Sequence, residues 1–185
     1  MSIPEITTER LLLRGWRESD LAPFAELNAD PETMEHFPSA MNRVESDQMV
    51  ERLLQGWADD GMSWWAVETL ADGSFVGAVG LMRVSFDAPF AEPGRPATEV
   101  GWRLLRSTWG HGYATEAAVA AVTWGFEEHD LDQIFAFTVP PNLRSRRVME
   151  RLGMAHDPAE DFDHPRVDGG SPLRRHVLYR LPRPR

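Results

Sequence analysis

The 185-residue chain contains no cysteine. A disulfide scaffold, a thiolate metal site and a cysteine nucleophile are thereby excluded. No apolar run approaches the roughly 20 residues needed to span a bilayer. The start, "MSIPEITTER", lacks a basic segment followed by an apolar core, so no signal peptide, no membrane partner and a cytoplasmic location are expected. The six histidines show no HxxEH or similar spacing, and no metal is expected. Positive charge is scarce, with a net charge of -10. An acidic surface disfavours nonspecific binding to nucleic acid, so no such partner is expected.

What is present suits one globular domain spanning residues 1–185. Hydrophobic residues make up 42% and charged residues 26%, ordinary values for a chain with a sizeable core. There is no internal repeat and no low-complexity linker. The charge is uneven. "NLRSRRVMER" (142–151) carries four arginines against one glutamate, whereas 157–168 carries five acidic residues. The basic run suits either a compact anionic ligand or a solvated helix face.

The pattern predicts mixed α and β structure. "RLLLRGW" (10–16) reads as a strand. A helix follows, with Ser19 as N-cap and Leu21, Phe24, Ala25 and Leu27 on its apolar face. A second helix is expected from about Glu45 to Ala58. "WWAVETL" and "SFVGAVGLMRV" read as a hairpin turned at Asp72-Gly73. Residues 85–97 read as a loop, and "TEVGWRLL" as the next strand. Small residues at Ala114, Ala117, Ala118, Ala121, Val122 and Gly125 form a stripe that lets a helix lie close on a sheet. "QIFAFTV" is a strand, "NLRSRRVMERLG" a short helix ended by Gly153, and "RRHVLYRL" a final strand.

Between the strand at 98–105 and the small-residue helix lies "WGHGYATEA" (109–117). Glycine costs backbone entropy, so Gly110 and Gly112 need a reason. A helix N-terminus has unpaired N–H groups and a partial positive charge, and glycines before it let an anion reach them. A phosphate or pyrophosphate is one answer. A tight turn for packing is the other. A Walker A loop is excluded by the missing lysine, and a dinucleotide fingerprint fits poorly because the next strand ends in "VPPN" rather than an acidic residue.

Together, "EVGWRLLRSTWGHGYATEA", "TVPPNLRSRRVMERLGM" and the opening "TERLLLRGWRESDLAPF" resemble the GNAT superfamily of acyl-CoA-dependent N-acyltransferases, over roughly residues 7–181. Within it the chain looks most like the ribosomal-protein N-terminal acetyltransferase branch. The resemblance implies a three-layer α/β (α+β type) fold with a mixed, mostly antiparallel sheet flanked by helices. It further implies that the sheet is splayed between the strands ending at Leu105 and Val139.

The resemblance implies acetyl-CoA as cosubstrate and a primary amine as acceptor, on a protein N-terminus or a small molecule. The family's Gln/Arg-x-x-Gly-x-Gly/Ala pattern falls on Trp109, Gly112 and Ala114. The amides of Gly110, His111, Gly112, Tyr113, Ala114 and Thr115 would then hold the pyrophosphate. Backbone groups of Trp102, Arg103 and Leu104 would pair with the pantetheine arm as an added strand. An N–H near Trp102 would hold the oxyanion. Asn142 matches a residue near the acyl sulfur, and asparagine also suits an N-cap.

Two groups remain for the chemistry. An amine nucleophile must be neutral, with pKa about 10.4 for a lysine-like amine and about 8 for an α-amino group, so a base helps. Glu99 matches the family's base position. The position of the family's tyrosine acid is Met149, which cannot donate. Ser145, one turn after Asn142, is the candidate acid or sulfur anchor. Any of Arg144, Arg146, Arg147 and Arg151 is a candidate phosphate contact. Segments 36–43 and 86–94 are candidate acceptor walls, with Phe37, Met41, Phe86 and Phe90 as apolar surface and Asp87 and Glu92 as acidic groups. A noncatalytic acyl-CoA-binding regulatory protein is the alternative; Met149 favours it, and Glu99 with Ser145 opposes it. Monomer and homodimer both fit.

Overall fold

The computed structural model describes residues 2–92 and 94–184. Its elements run β1 (Ile6–Thr7), β2 (Leu11–Arg14), α1 (Glu18–Ala29), α2 (Arg43–Asp60), β3 (Trp64–Thr69), β4 (Phe75–Arg83), β5 (Thr98–Leu104), α3 (Tyr113–Glu128), β6 (Gln133–Thr138), α4 (Leu143–Arg151), β7 (Ala155–His156), β8 (Phe162–Asp163) and β9 (Arg175–Pro182). The strand order is β1-β2-β3-β4-β5-β6-β9-β7, with β8 added beside β9. Every pairing is antiparallel except β5 with β6. Among the described residues no helix is long and apolar enough to cross a membrane.

Local chemistry sets most boundaries. α2 begins at Arg43 rather than Glu45, because Asn42 and Glu45 form a reciprocal capping box: the Asn42 side chain accepts from the Glu45 N–H at 3.0 Å, and the Glu45 carboxylate accepts from the Asn42 N–H at 2.8 Å. Ser19 is not the cap of α1. The helix starts earlier, and the Asp20 carboxylate accepts from the Arg17 N–H at 2.7 Å. Asp20 is held there by the buried Arg14, which also pairs with Glu68. The opening strand is shorter than its apolar pattern, Leu11–Arg14 rather than residues 10–16.

Two layers of helix cover the sheet. The small stripe of α3 puts Ala117, Ala118, Ala121 and Gly125 into the main core against Val79, Leu81, Val100 and Ile134. A methyl at Gly125 would collide with the Leu81 side chain, so the close approach is real. On the opposite face α1 and α2 bring Phe24, Leu27, Val50 and Leu53 onto Trp64 and Ala78. Each strand therefore sends alternate residues to different cores.

A third cluster was not visible in the sequence. Phe90, Phe135, Phe162 and Leu178 gather with Phe86 and Phe137, and the rings of His164 and His176 lie against them. Burial pushes His164 down to about 4, helped by the nearby His176 and Arg166, and burial also lowers His176. Both rings fold as neutral groups, so the unfolded chain binds more protons below the ordinary histidine value of 6.5. The unfolding midpoint is expected to be flat with respect to these groups above about pH 6.5 and to fall towards pH 4. His164→Asn, which keeps an acceptor for the Arg166 N–H, should flatten that limb in thermal melts across pH. An unaltered limb would assign the acid sensitivity to carboxylates instead.

Candidate functional site

The strands β5 and β6 share a single register pair, Glu99 with Phe135. Beyond it they part, while β5 stays paired with β4 along its whole length. The β4 register assigns each backbone group of β5 to one side. Leu105 donates its N–H to Val76 and Ala97 accepts from Val84, both at 2.9 Å. By alternation, the odd residues, Arg103 included, turn N–H and C=O to β4. The even residues Trp102 and Leu104 turn theirs to the split. Arg103 thus contributes no backbone group to the open edge, whereas Trp102 contributes both. The C=O of Leu104 accepts from the Trp109 indole at 3.0 Å.

At the end of this edge a short 3-10 turn (Arg106–Thr108) leads into the glycine turn. Gly110 and Gly112 have φ of +81° and +82°. Left-handed backbone is therefore their immediate requirement. A Cβ at Gly110 would meet nothing within 4 Å, so the approach to the turn is open. The α3 ladder begins with the Glu116 N–H donating to the Gly112 C=O at 3.0 Å. The preceding amides of the first turn lie outside it. The hydroxyl of Thr115 in that turn is buried with no hydrogen-bond partner among the described residues. An orphaned donor beside free amides fits an oxyanion-rich group such as a pyrophosphate. The His111 ring folds back towards the Trp109 C=O at 3.0 Å and stacks on Tyr113.

Arg10 braces the turn, and nothing in the local sequence pointed to it. It donates to the His111 C=O at 3.0 Å and pairs with Glu116 at 2.6 Å. Thr8 also donates to Glu116 at 2.6 Å. The edge hairpin β1–β2 is thus tied to the start of α3.

Glu99 lies on the face of β5 opposite α3. Its register partners are Met82 on β4 and Phe135 on β6, both apolar and on the same face, and Phe90 packs on Phe135 at 4.9 Å. The residue is half-buried at the start of the split. Burial pushes it up to about 7. That value suits proton transfer near neutral pH.

Across the split, Asn142 caps α4: its Oδ1 accepts from the Ser145 N–H at 3.1 Å and its Nδ2 donates to Thr138 at 2.9 Å. Ser145 is half-buried in the first turn of α4. Met149, one turn on, is 1% exposed and belongs to the main core. Tyr179 is buried under α4, where its hydroxyl meets Arg146 and Glu150. Of the four arginines, Arg144 alone stacks on Trp109, at 4.5 Å, and also reaches Glu32. Arg146 is committed to Tyr179 and the Pro140 C=O; Arg147 and Arg151 are exposed. Phe86 and Phe90 are not an open wall but part of the aromatic cluster, while Phe37 and Met41 pack on the Arg103 side chain.

A sequence model of the family described as Acetyltransferase (GNAT) domain matches residues 10–155. The chain is 31% identical over 156 residues to the FsC-acetyl coenzyme A-N(2)-transacetylase of Aspergillus fumigatus, covering 83% of this chain and 66% of that one. The crystal structure of an acetyltransferase from Agrobacterium tumefaciens superposes with a TM-score of 0.78 at 26% identity, covering 98% of this chain and 95% of that one. A ribosomal-protein alanine acetyltransferase from Vibrio fischeri shares the fold, with a TM-score of 0.71 at 19% identity over 97% and 96% of the two chains.

Proposed function

The chain belongs to the GNAT acetyltransferase family, and from that premise we propose that it moves the acetyl group of acetyl-CoA to a primary amine by direct attack in a ternary complex. The observation that carries this reading is the lone carboxyl of Glu99, raised to about 7 between apolar neighbours where β5 and β6 part. Its chemistry follows from position. Glu99 takes a proton from the ammonium, directly or through water, and leaves a neutral amine. The amine nitrogen attacks the thioester carbon, and the Trp102 N–H stabilises the oxyanion. Collapse breaks the carbon–sulfur bond; the Ser145 hydroxyl anchors the departing thiolate or passes it a proton, and the surplus proton on the newly acylated nitrogen replaces the one that Ser145 gives. The pantetheine arm pairs with the open edge of β5, and the pyrophosphate sits on the amides of Gly110 to Thr115. The stacking of Arg144 on Trp109, beside the glycine turn, supports it among the four arginines as the phosphate contact.

The acceptor is an amine on a protein N-terminus or a small molecule. The Aspergillus relative, named for N(2)-transacetylation, supports a small-molecule amine; the resemblance to ribosomal-protein acetyltransferases supports a protein one. Calorimetric titration with acetyl-CoA, followed by a screen of amines for CoA release, tests the reading. Binding with amine-dependent release is expected. Absence of acetyl-CoA binding would overturn it.

A further inference from the structure

Arg103 is 6% exposed, yet among the described residues it has no carboxylate partner. The other buried arginine, Arg14, is neutralised by Asp20 and Glu68. Every hydrogen bond of the Arg103 guanidinium leaves from Nη1, to Asn28 Oδ1 at 2.6 Å and, more weakly, to the sulfurs of Met49 and Met41 at 3.5 and 3.9 Å. Nε is buried with no partner. The side chain is nonetheless held firmly. Asn28 is oriented by its own donation to Ser46 at 2.9 Å, and both are fully buried. Phe37 lies under the guanidinium at 4.3 Å. Burial lowers the group to about 10, still charged at neutral pH.

A second orphan lies on the same face of β5. The Trp64 ring runs across Gly101, where a methyl would collide with it, and its Nε1 is buried without a partner among the described residues. Gly101 stands midway between Glu99 and Arg103. Along this face the chain therefore sets a carboxyl base, an unpaired indole N–H and the unpaired Nε–Nη2 edge of a guanidinium. Both orphans are donors, and the guanidinium edge is a planar fork that matches the two oxygens of a carboxylate.

We propose that Arg103 binds a carboxylate on the acceptor, with Trp64 Nε1 as a further donor, so that the substrate class is amines carrying a carboxylate a short chain away. This rests on the acetyltransferase reading above. Glu99 and Arg103 are four residues apart on one strand, about 13 Å between Cα atoms. The amine is then addressed to one end of the face and the anion to the other. The site favours these acids over amines without a carboxylate, which gain nothing from the buried guanidinium.

The test uses ω-amino acids from β-alanine to ε-aminocaproate, each beside its methyl amide. In titrations followed by nitrogen-15 NMR without acetyl-CoA, the Arg103 Nε signal, assigned by its loss in Arg103→Lys, is expected to shift with the acids and not with the amides. In steady-state assays the best acid is expected to show a KM about 30-fold below its amide, the scale of a charge-assisted pair. Arg103→Lys keeps the charge without the fork and should shrink that ratio to a few-fold; Arg103→Met should remove it. A still Nε signal, equal KM values for acid and amide in the wild type, or a preference that survives both variants would overturn the assignment. Failure of acetyl-CoA to bind would instead sink the enzyme reading and leave the NMR result to stand alone.

Discussion

Replacing Glu99 with Gln is expected to lower kcat/KM for the amine about 100-fold near neutral pH, the scale typical of losing a positioned general base. The pH profile is the more telling readout. With the carboxyl raised to about 7, the wild-type rate should climb as pH rises through 7. Protonation of the amine, with pKa about 8 to 10.4, supplies a separate limb at higher pH. Glu99→Gln should erase the first limb and keep the second. A variant within twofold of wild type, with the lower limb intact, would show that another group takes the proton. Stability gives an independent check of the same shift. A carboxyl raised above its ordinary value of 4.5 leaves the folded state holding more protons than the unfolded one. Its contribution is fully present below 4.5 and is lost as pH rises through 7. Glu99→Gln should therefore melt higher than wild type at pH 8 and close to it at pH 4.

The second large effect concerns Gly112. Its φ of +82° disfavours any side chain by about 1–2 kcal/mol, and it directly precedes the free amides of α3. Gly112→Asp adds a negative charge where the helix N-terminus would meet a pyrophosphate. Acetyl-CoA affinity is expected to fall more than 100-fold, to the limit of calorimetric detection. Gly112→Ala separates the causes. It carries the strain without the charge, so it should lower the melting temperature and weaken binding by less than tenfold. An Asp variant that binds like the wild type would mean that the turn serves packing only.

The turn could be recognised beforehand because its demands are local. Two glycines in front of an alanine-rich helix specify positive φ and a close helix packing, and both follow from residue type and spacing. The hairpin at Asp72-Gly73 is of the same kind, with Gly73 at φ +71°. Asn142 is legible both as a cap and as a position in the family pattern, and it does cap α4. Ser19 shows where local reasoning stops. Asp20 wins the N–H of Arg17 because Arg14 and Glu68, the latter 54 residues from Arg14, fix that carboxylate in a buried network.

Composition, periodicity and motif spacing by themselves determined a mixed α and β domain, the order of its main strands and helices, and the family resemblance with its glycine turn. These rest on interactions within a few residues, or on a pattern met before. Only the tertiary structure decided that Glu99 sits between Met82 and Phe135, which is what raises its pKa. Only strand register turned the Arg103 backbone away from the split and its side chain into a buried site without a counter-charge. The aromatic cluster around His164 and His176 likewise joins a loop near residue 90 to strands more than 40 residues later. Register and long-range burial set electrostatics, because desolvation depends on every neighbour in space, and a linear pattern names only the neighbours along the chain.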